Sequence, residues 1–308
     1  MKCPVCGDEA AVFYQLGRLD REAWRCAGCA FTWLVPPLRT EDSEYKAHYE
    51  DPAYMARFEV DEPKFRRHLA DIDRAVDLAT APNRRLLEVG SSHGFLLGLL
   101  AARGFAVEGI ELQQAGVAAT RALGLPVQSV PLEEFSAAEP FGVVLSTHVV
   151  EHLRDIGFYF RKTAELLAPG GYSIILTPNA DALLFKLFRR FWTGATPDEH
   201  NVFLSFRAVR RLAEAHGFEV LALKTTGRFW PVGRGLLAEG YRTVQARRRP
   251  AGSSGPAATV AGAERSWRNR IFRLLGWMEF PFLTVLHTCL SPFGLSDELL
   301  TVLRKKKP

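Results

Sequence analysis

The chain has 308 residues, 47% of them hydrophobic, and a formal net charge of +5. That length suits one sizeable core with appendages, or two domains. The start, Met1-Lys2-Cys3-Pro4, opens no apolar run, so no cleaved secretory signal is expected; no uncharged stretch reaches a membrane span either, the nearest, Leu274 to Leu290, being broken by Glu279, Pro281 and His287.

Two cysteine doublets come first, Cys3-Pro4-Val5-Cys6 and Cys26-Ala27-Gly28-Cys29. Each can form a turn presenting two thiolates, and two such turns complete a tetrahedral site. The spacing predicts a small zinc ribbon over residues 1–40, with a structural Zn2+ on Cys3, Cys6, Cys26 and Cys29. So short a segment builds little core, and the metal would supply its stability. An iron site of the same geometry, or two redox-active doublets, would use the same residues. Cys289 lies alone in an apolar run and reads as a packed core thiol. This is not the pattern of a secreted disulfide scaffold, so a cytoplasmic location is expected.

Residues 41–83 read as a linker and an N-terminal helix. Phe65, Leu69, Ile72, Val76 and Ala79 alternate steps of four and three, which predicts one apolar face on a helix from Pro63 to Ala79. From 84 to 226, strands (85–89, 106–111, 127–130, 142–147, 172–177, 218–224) alternate with helices (94–102, 113–123, 158–167, 206–216). Pro169-Gly170-Gly171 predicts a stop and a turn. The alternation implies an α/β fold with a doubly wound parallel sheet.

Residues 227–297 form a variable insertion. Within it, 246–262 is rich in Arg, Pro, Gly, Ser and Ala and predicts a flexible linker. The aromatic and basic stretch 266–290 reads as a helical cap or dimer contact; the sharper reading is a peripheral contact at the inner membrane face. Residues 298–308 supply one more strand and a basic tail. That tail and Arg247-Arg248-Arg249 read as solvated faces.

Within the core, Leu86-Leu87-Glu88-Val89-Gly90-Ser91-Ser92-His93-Gly94 runs an apolar strand through a small-residue turn into a helix, and Glu111 ends the second strand. Glycines let backbone approach a ligand closely, and the acid can accept from ribose hydroxyls. Together they predict a nucleoside cofactor across the ends of two strands. His93 reads as solvent-exposed or pocket-lining.

Four segments in this order resemble the class I S-adenosylmethionine-dependent methyltransferases: Glu88-x-Gly90-x-x-x-Gly94, Glu111, the run Phe141 to Leu153, and Leu166 to Tyr172 leading to Thr177-Pro178-Asn179. The cysteine doublets are similar to those of zinc-ribbon methyltransferases of sugar, surface-glycan and natural-product biosynthesis. His200-Asn201-Val202-Phe203-Leu204-Ser205 is similar to that group and to the quinone-biosynthesis O-methyltransferases. The resemblance implies a Rossmann-like sheet of seven strands, the last antiparallel, and S-adenosyl-L-methionine as cofactor. It assigns Gly90, Ser92 and Gly94 to the methionine and ribose side, Glu88 to the amino end and Glu111 to the ribose hydroxyls. Leu132 and Glu133 would lie near adenine, and His148 beside the cofactor, facing the substrate. Many relatives carry glycine where this chain has Ser92.

The leading expectation is O-methylation of a sugar or glycan-linked small molecule. The alternatives are quinone or polyketide O-methylation, C-methylation of a nucleotide sugar, and a non-catalytic cofactor-binding module. Nucleic acid is not favoured as substrate, because the fourth strand lacks the Asn/Asp-Pro-Pro-aromatic turn of enzymes acting on nucleobase amines. A hydroxyl acceptor must lose a proton, and His148, His152 and His200 are candidates to take it, with Glu151 orienting one or acting itself. His148, Glu151 and His152 stand at i, i+3 and i+4, so a divalent cation at the active site is a second reading. In a third, Glu151 and His152 only cap the next helix. Asn179 reads as a turn residue or a polar wall of the acceptor pocket.

Overall fold

The computed structural model describes residues 1–16, 20–38, 62–196, 199–226 and 285–307. The linker expected at 246–262 lies outside them, as does the 266–290 segment up to residue 284. Among the described residues no helix is long and apolar enough to cross a membrane.

Strands β1 (Ala10–Leu16), β2 (Arg21–Cys26) and β3 (Thr32–Val35) form an antiparallel meander. Strands β4 (Arg85–Val89), β5 (Ala106–Ile110), β6 (Val127–Gln128), β7 (Phe141–Thr147) and β8 (Leu167–Pro178) pair in parallel. The short β9 (Val202–Phe203) leaves this alternation and joins the meander, whose order is β1-β2-β3-β9. With β10 (Phe218–Thr226) and β11 (Glu298–Lys305), the main sheet has seven strands in the order β10-β11-β8-β7-β4-β5-β6. β11 runs antiparallel to both β8 and β10, so the doubly wound sheet ends on the reversed strand expected.

The helices are α1 (Glu62–Asp73), α2 (Phe95–Ala101), α3 (Gln114–Ala122), α4 (Ile156–Leu166), α5 (Leu183–Phe188) and α6 (Phe206–Ala215). Because the sheet is covered on both faces, Leu86, Leu87, Val144, Leu145, Ile174 and Ile175 are all buried, and the central strands read as apolar runs rather than alternations.

Two boundaries differ from expectation. Helix α1 stops at Asp73 rather than Ala79, because the Asp77 side chain accepts from the Ala79 amide and starts a separate 3-10 turn, Leu78–Thr80. Pro169-Gly170-Gly171 does not end the chain's pairing. It lies inside β8, with Gly170 at φ +82 and the β7–β8 register shifted between Phe141 and Val143, so the turn is a bulge.

The cysteine segment shares its core with the main sheet: Cys3, Cys26, Cys29, Phe31 and Trp33 belong to one buried cluster with Val89, Val150, Val202, Leu204 and Val209. Cys289 is a correction. Residues 285–290 are helical, and Cys289 lies on the exposed side with Val285 while His287 faces inward.

Candidate active site

The turn after β4 is held open by backbone that favours glycine: Gly90 has φ +73, Ser92 +49 and Gly94 +75. A Cβ on Gly90 would lie 2.4 Å from Val149 Cγ2, and one on Gly94 3.0 Å from the Thr120 side chain. The turn therefore threads between the end of β7 and α3. Glu111 ties it to β5: Oε2 accepts from the Ser92 amide at 2.7 Å and Oε1 from the Gln113 amide at 2.8 Å. Each carboxylate oxygen keeps a second lone pair for a hydroxyl.

Glu88 is buried, and its Oε2, like Ser91 Oγ, has no hydrogen-bond partner among the described residues. Burial, then the neighbouring Glu111 charge, raises the Glu88 pKa well above the carboxylate range. A glycine cradle beside an orphaned buried carboxyl oxygen fits a ligand rich in hydroxyl and amino groups. Leu132 is packed in the core and Glu133 is exposed, so only the acid of that pair reaches solvent. His93 is buried rather than solvent-exposed, with Nδ1 3.2 Å from Ser92 Oγ.

At the end of β7, His148 takes a left-handed backbone, φ +56, and lies between two carboxylates. Its Nδ1 is 3.0 Å from Glu151 Oε1, and its Nε2 is 2.9 Å from Glu298 Oε1. Burial opposes charge on the ring, but the hydrogen bonds to Glu151 and Glu298 outweigh it and raise the His148 pKa. With a carboxylate at each nitrogen, both His148 nitrogens are engaged and the charged ring is favoured. Burial would raise the Glu151 pKa, yet the hydrogen bond and charge of His148, with His200 and His152 beyond, bring it down to about 2. Thr177 Oγ1 donates to Glu151 Oε2 at 3.0 Å. Glu151 and His152 do not cap the next helix; Asp155 does, accepting from the Phe158 amide at 3.0 Å.

His152 Nδ1 donates to the Glu199 carbonyl at 3.0 Å, which makes Nε2 the basic nitrogen of the neutral ring. His200 packs edge-on against it, ring centroids 4.9 Å apart. Burial, reinforced by His152, holds the His200 pKa down at about 3, so this ring is neutral. Donor atoms of Glu151, His152 and His200 all lie within 4.8 Å of one another. The sequence spacing grouped His148, Glu151 and His152; the structure keeps His148 on Glu151 through Nδ1, aims its Nε2 at Glu298, and adds His200 beside Glu151 and His152.

Three residues were missed in the sequence. Glu298 looked like the start of a strand. Arg21 and Asn201 carried no role, although Asn201 lies within the His200–Ser205 motif. Asn201 Oδ1 accepts from Arg21 Nη2 at 2.9 Å and the Leu38 amide at 2.7 Å, while Nδ2 donates to the His152 carbonyl at 2.8 Å and the Leu38 carbonyl at 3.2 Å. Its amide donates to the Glu151 carbonyl at 2.7 Å. Asn179 is not an acceptor contact: its Nδ2 donates to the carbonyls of Gly294 and Ser296, and its Oδ1 accepts from the Asp181 amide.

The four N-terminal cysteines converge. Cys3 and Cys29 Sγ are 3.6 Å apart, Cys6 and Cys26 Sγ 3.4 Å, and all four lie within 4.8 Å of one another. The amides of Val5 and Cys29 point at the sulfurs of Cys3 and Cys26.

A family described as "Methyltransferase domain" matches residues 62–223, more than half of the chain. The ubiquinone biosynthesis O-methyltransferase of Caulobacter sp. (strain K31) is 37% identical over 103 residues, 31% of this chain and 41% of its own. That of Paramagnetospirillum magneticum is 39% identical over 109 residues, 33% of this chain and 43% of its own. The chain thus spans about two fifths of the length of these curated relatives. A chain from the solved complex of the Haloferax volcanii Trm112 methyltransferase activator with a methyltransferase aligns at a TM-score of 0.50 and 15% identity, over 86% of this chain and 98% of that one, a likeness of fold. The sheet order, the reversed last strand and the match across the core agree: the chain belongs to the methyltransferase-domain family.

Proposed function

We propose that the protein transfers a methyl group from S-adenosylmethionine to a hydroxyl oxygen of a small quinol-type acceptor. The observation that carries this reading is the similarity to relatives named ubiquinone biosynthesis O-methyltransferases, at 37% and 39% identity. It favours a quinone-type acceptor over the sugar or glycan-linked one expected from the sequence.

S-adenosylmethionine supplies a methyl carbon on a sulfonium sulfur, which is already electrophilic, so the protein's work is alignment and proton removal. Glu111 would accept hydrogen bonds from the ribose hydroxyls, and Glu88 Oε2 and Ser91 Oγ would meet the cofactor's polar groups. His152 Nε2 would take the proton that the acceptor hydroxyl loses on methylation. Glu151, ionised and buried, stabilises the resulting imidazolium. His148 holds Glu151 in place.

The cysteines, on this reading, hold a structural zinc ion. Zinc–sulfur bonds of about 2.3 Å put tetrahedral sulfurs about 3.8 Å apart, and the observed 3.4 and 3.6 Å edges fit that cage. Four thiolate ligands leave no open position, so the ion carries no chemistry.

Titration calorimetry with S-adenosylmethionine, followed by mass detection of a methylated catechol, tests the function. His152→Ala is expected to keep cofactor binding and lose turnover. A folded wild-type protein that binds no cofactor overturns the reading.

A further inference from the structure

We propose that His68, His148 and Glu298 form a binding site for a divalent first-row cation, separate from the cysteines and from the Glu151–His152–His200 cluster. The three residues come from distant parts of the chain: α1, the position just after β7, and the first residue of β11. Glu298 Oε1 lies 2.9 Å from His148 Nε2, and Glu298 Oε2 lies 4.0 Å from His68 Nε2. One donor atom from each falls within 4.8 Å of the other two. Metal–nitrogen and metal–oxygen bonds of about 2.1 Å set neighbouring ligands roughly 3.0–3.5 Å apart, so a small inward rotation of His68 completes the set. Two imidazoles and a carboxylate make a donor set that leaves positions for water or an acceptor oxygen.

The surroundings are those of a ligand set. His148 Nδ1 faces Glu151 Oε1 at 3.0 Å, the carboxylate contact that fixes a ligating histidine's tautomer and aims its other nitrogen. Thr226 Oγ1 donates to Glu298 Oε2 at 3.0 Å. Glu151 and Glu298 are both fully buried. Among the described residues, the groups facing this pair include His148 and His68, Lys64 on α1, and His152 and His200 beside Glu151. A dication between His148 Nε2 and Glu298 takes the place of one ring proton and offsets more of the buried negative charge. In the neighbouring cluster the imidazoles are engaged elsewhere: His152 Nδ1 donates to the Glu199 carbonyl at 3.0 Å, and Thr196 Oγ1 lies 2.9 and 3.0 Å from the two His200 nitrogens. Val149, next to His148, abuts Gly90, which puts the ion at the acceptor end of the cofactor turn.

Mn2+ is the probe, because a hard cation avoids thiolates. The full chain, with its cysteine site left loaded, is freed of loosely bound ions by gel filtration and titrated with Mn2+ by electron paramagnetic resonance. One bound ion is expected, with spin-echo coupling to two histidine nitrogens. Losing an outer contact alone weakens metal sites roughly 10–100-fold, so His68→Gln and Glu298→Gln should each weaken binding by more than about tenfold, and His200→Gln should leave it unchanged. Should either ligand variant fail to fold by circular dichroism, Thr226→Val, expected to weaken binding about tenfold, and the wild-type echo spectrum decide. The proposal is overturned if folded wild type binds no Mn2+, if the echo shows no histidine nitrogen, or if His200→Gln abolishes binding while His68→Gln does not. None of these readouts involves methyl transfer, so this site and the methyltransferase reading can fail separately.

Discussion

Replacing Asn201 by alanine should be among the most damaging single changes in the molecule. The side chain is 3% exposed and makes four hydrogen bonds, to Arg21, to the amide and carbonyl of Leu38, and to the carbonyl of His152. A neutral hydrogen bond contributes about 1 kcal/mol net, and one from a charged donor about 1.5–3 kcal/mol. Arg21, also 3% exposed, keeps Nε on the Pro36 carbonyl at 2.8 Å, so it is not stranded outright. The expected loss is therefore about 4.5–6 kcal/mol. With an m-value of about 3 kcal/mol/M, the urea midpoint should fall by more than about 1 M. Asn201→Asp should do no better than alanine: Oδ1 can still accept from Arg21 and Leu38, but the second oxygen would face the carbonyls of Leu38 and His152 with no proton to give. A midpoint shift worth less than 1 kcal/mol for Asn201→Ala would refute the assignment of Asn201 as the pin between the cysteine segment and the Glu151–His152 turn.

The other predictions concern the cofactor turn, the buried histidine and the cysteines. Gly90→Ala combines a left-handed φ of +73 with a contact of 2.4 Å to Val149, and should abolish S-adenosylmethionine binding in calorimetry while the fold survives by circular dichroism; unchanged affinity would show that this turn does not hold the cofactor. His200 has a folded pKa near 3 against 6.5 for an ordinary histidine, so between those values the unfolded chain binds a proton that the folded chain refuses. Stability should be full above pH 6.5 and fall as pH drops toward 3, with His200→Gln flattening that part of a thermal denaturation profile; an unchanged slope in the variant would count against the buried neutral ring. Elemental analysis should find one zinc per chain, and a strong chelator should lower the melting temperature; a zinc-free protein of equal stability would remove the metal from the ribbon.

The fold was legible because its signals are local. The parallel strands β4, β5 and β7 are short apolar runs each followed by a helix, and the reversed last strand came with the resemblance. The glycine turn after β4 and its tie to Glu111 were legible for the same reason, since Glu88, Gly90, Gly94 and Glu111 lie within one strand-helix-strand unit. The boundary of α1 was not, because it depends on one aspartate side chain capturing a backbone amide. The acceptor end was half legible. Spacing on a single helical turn suggested that His148, Glu151 and His152 share a face, but those residues form a strand end and a 3-10 turn, in which His148 keeps Nδ1 on Glu151 and gives Nε2 to Glu298. Its partners, Glu298 and His68, lie 150 and 80 positions away in the chain. Local periodicity cannot reveal a meeting of that kind.

The cysteine segment braces the stretch that carries His200 and Asn201. β9 has two residues, Val202 and Phe203, far too few to hold themselves in place. Thr32 and Trp33 of β3 pair with them, and the Leu34 amide donates to the Asn201 carbonyl at 2.8 Å. Ser205 Oγ reaches back to the Cys29 carbonyl while capping α6 through the Ala208 amide. Thus the stretch that carries His200 and Asn201 is held from Asn201 to Ser205 by contacts from the segment that the cysteines organise. A metal ion in the cysteine cage would fix the turn at Cys26–Cys29, that turn would fix β3, and β3 would fix the position of His200 beside His152. Loss of the ion should then be felt first as loosening of the His152–His200 pair, before the main sheet, whose strands hold one another, gives way.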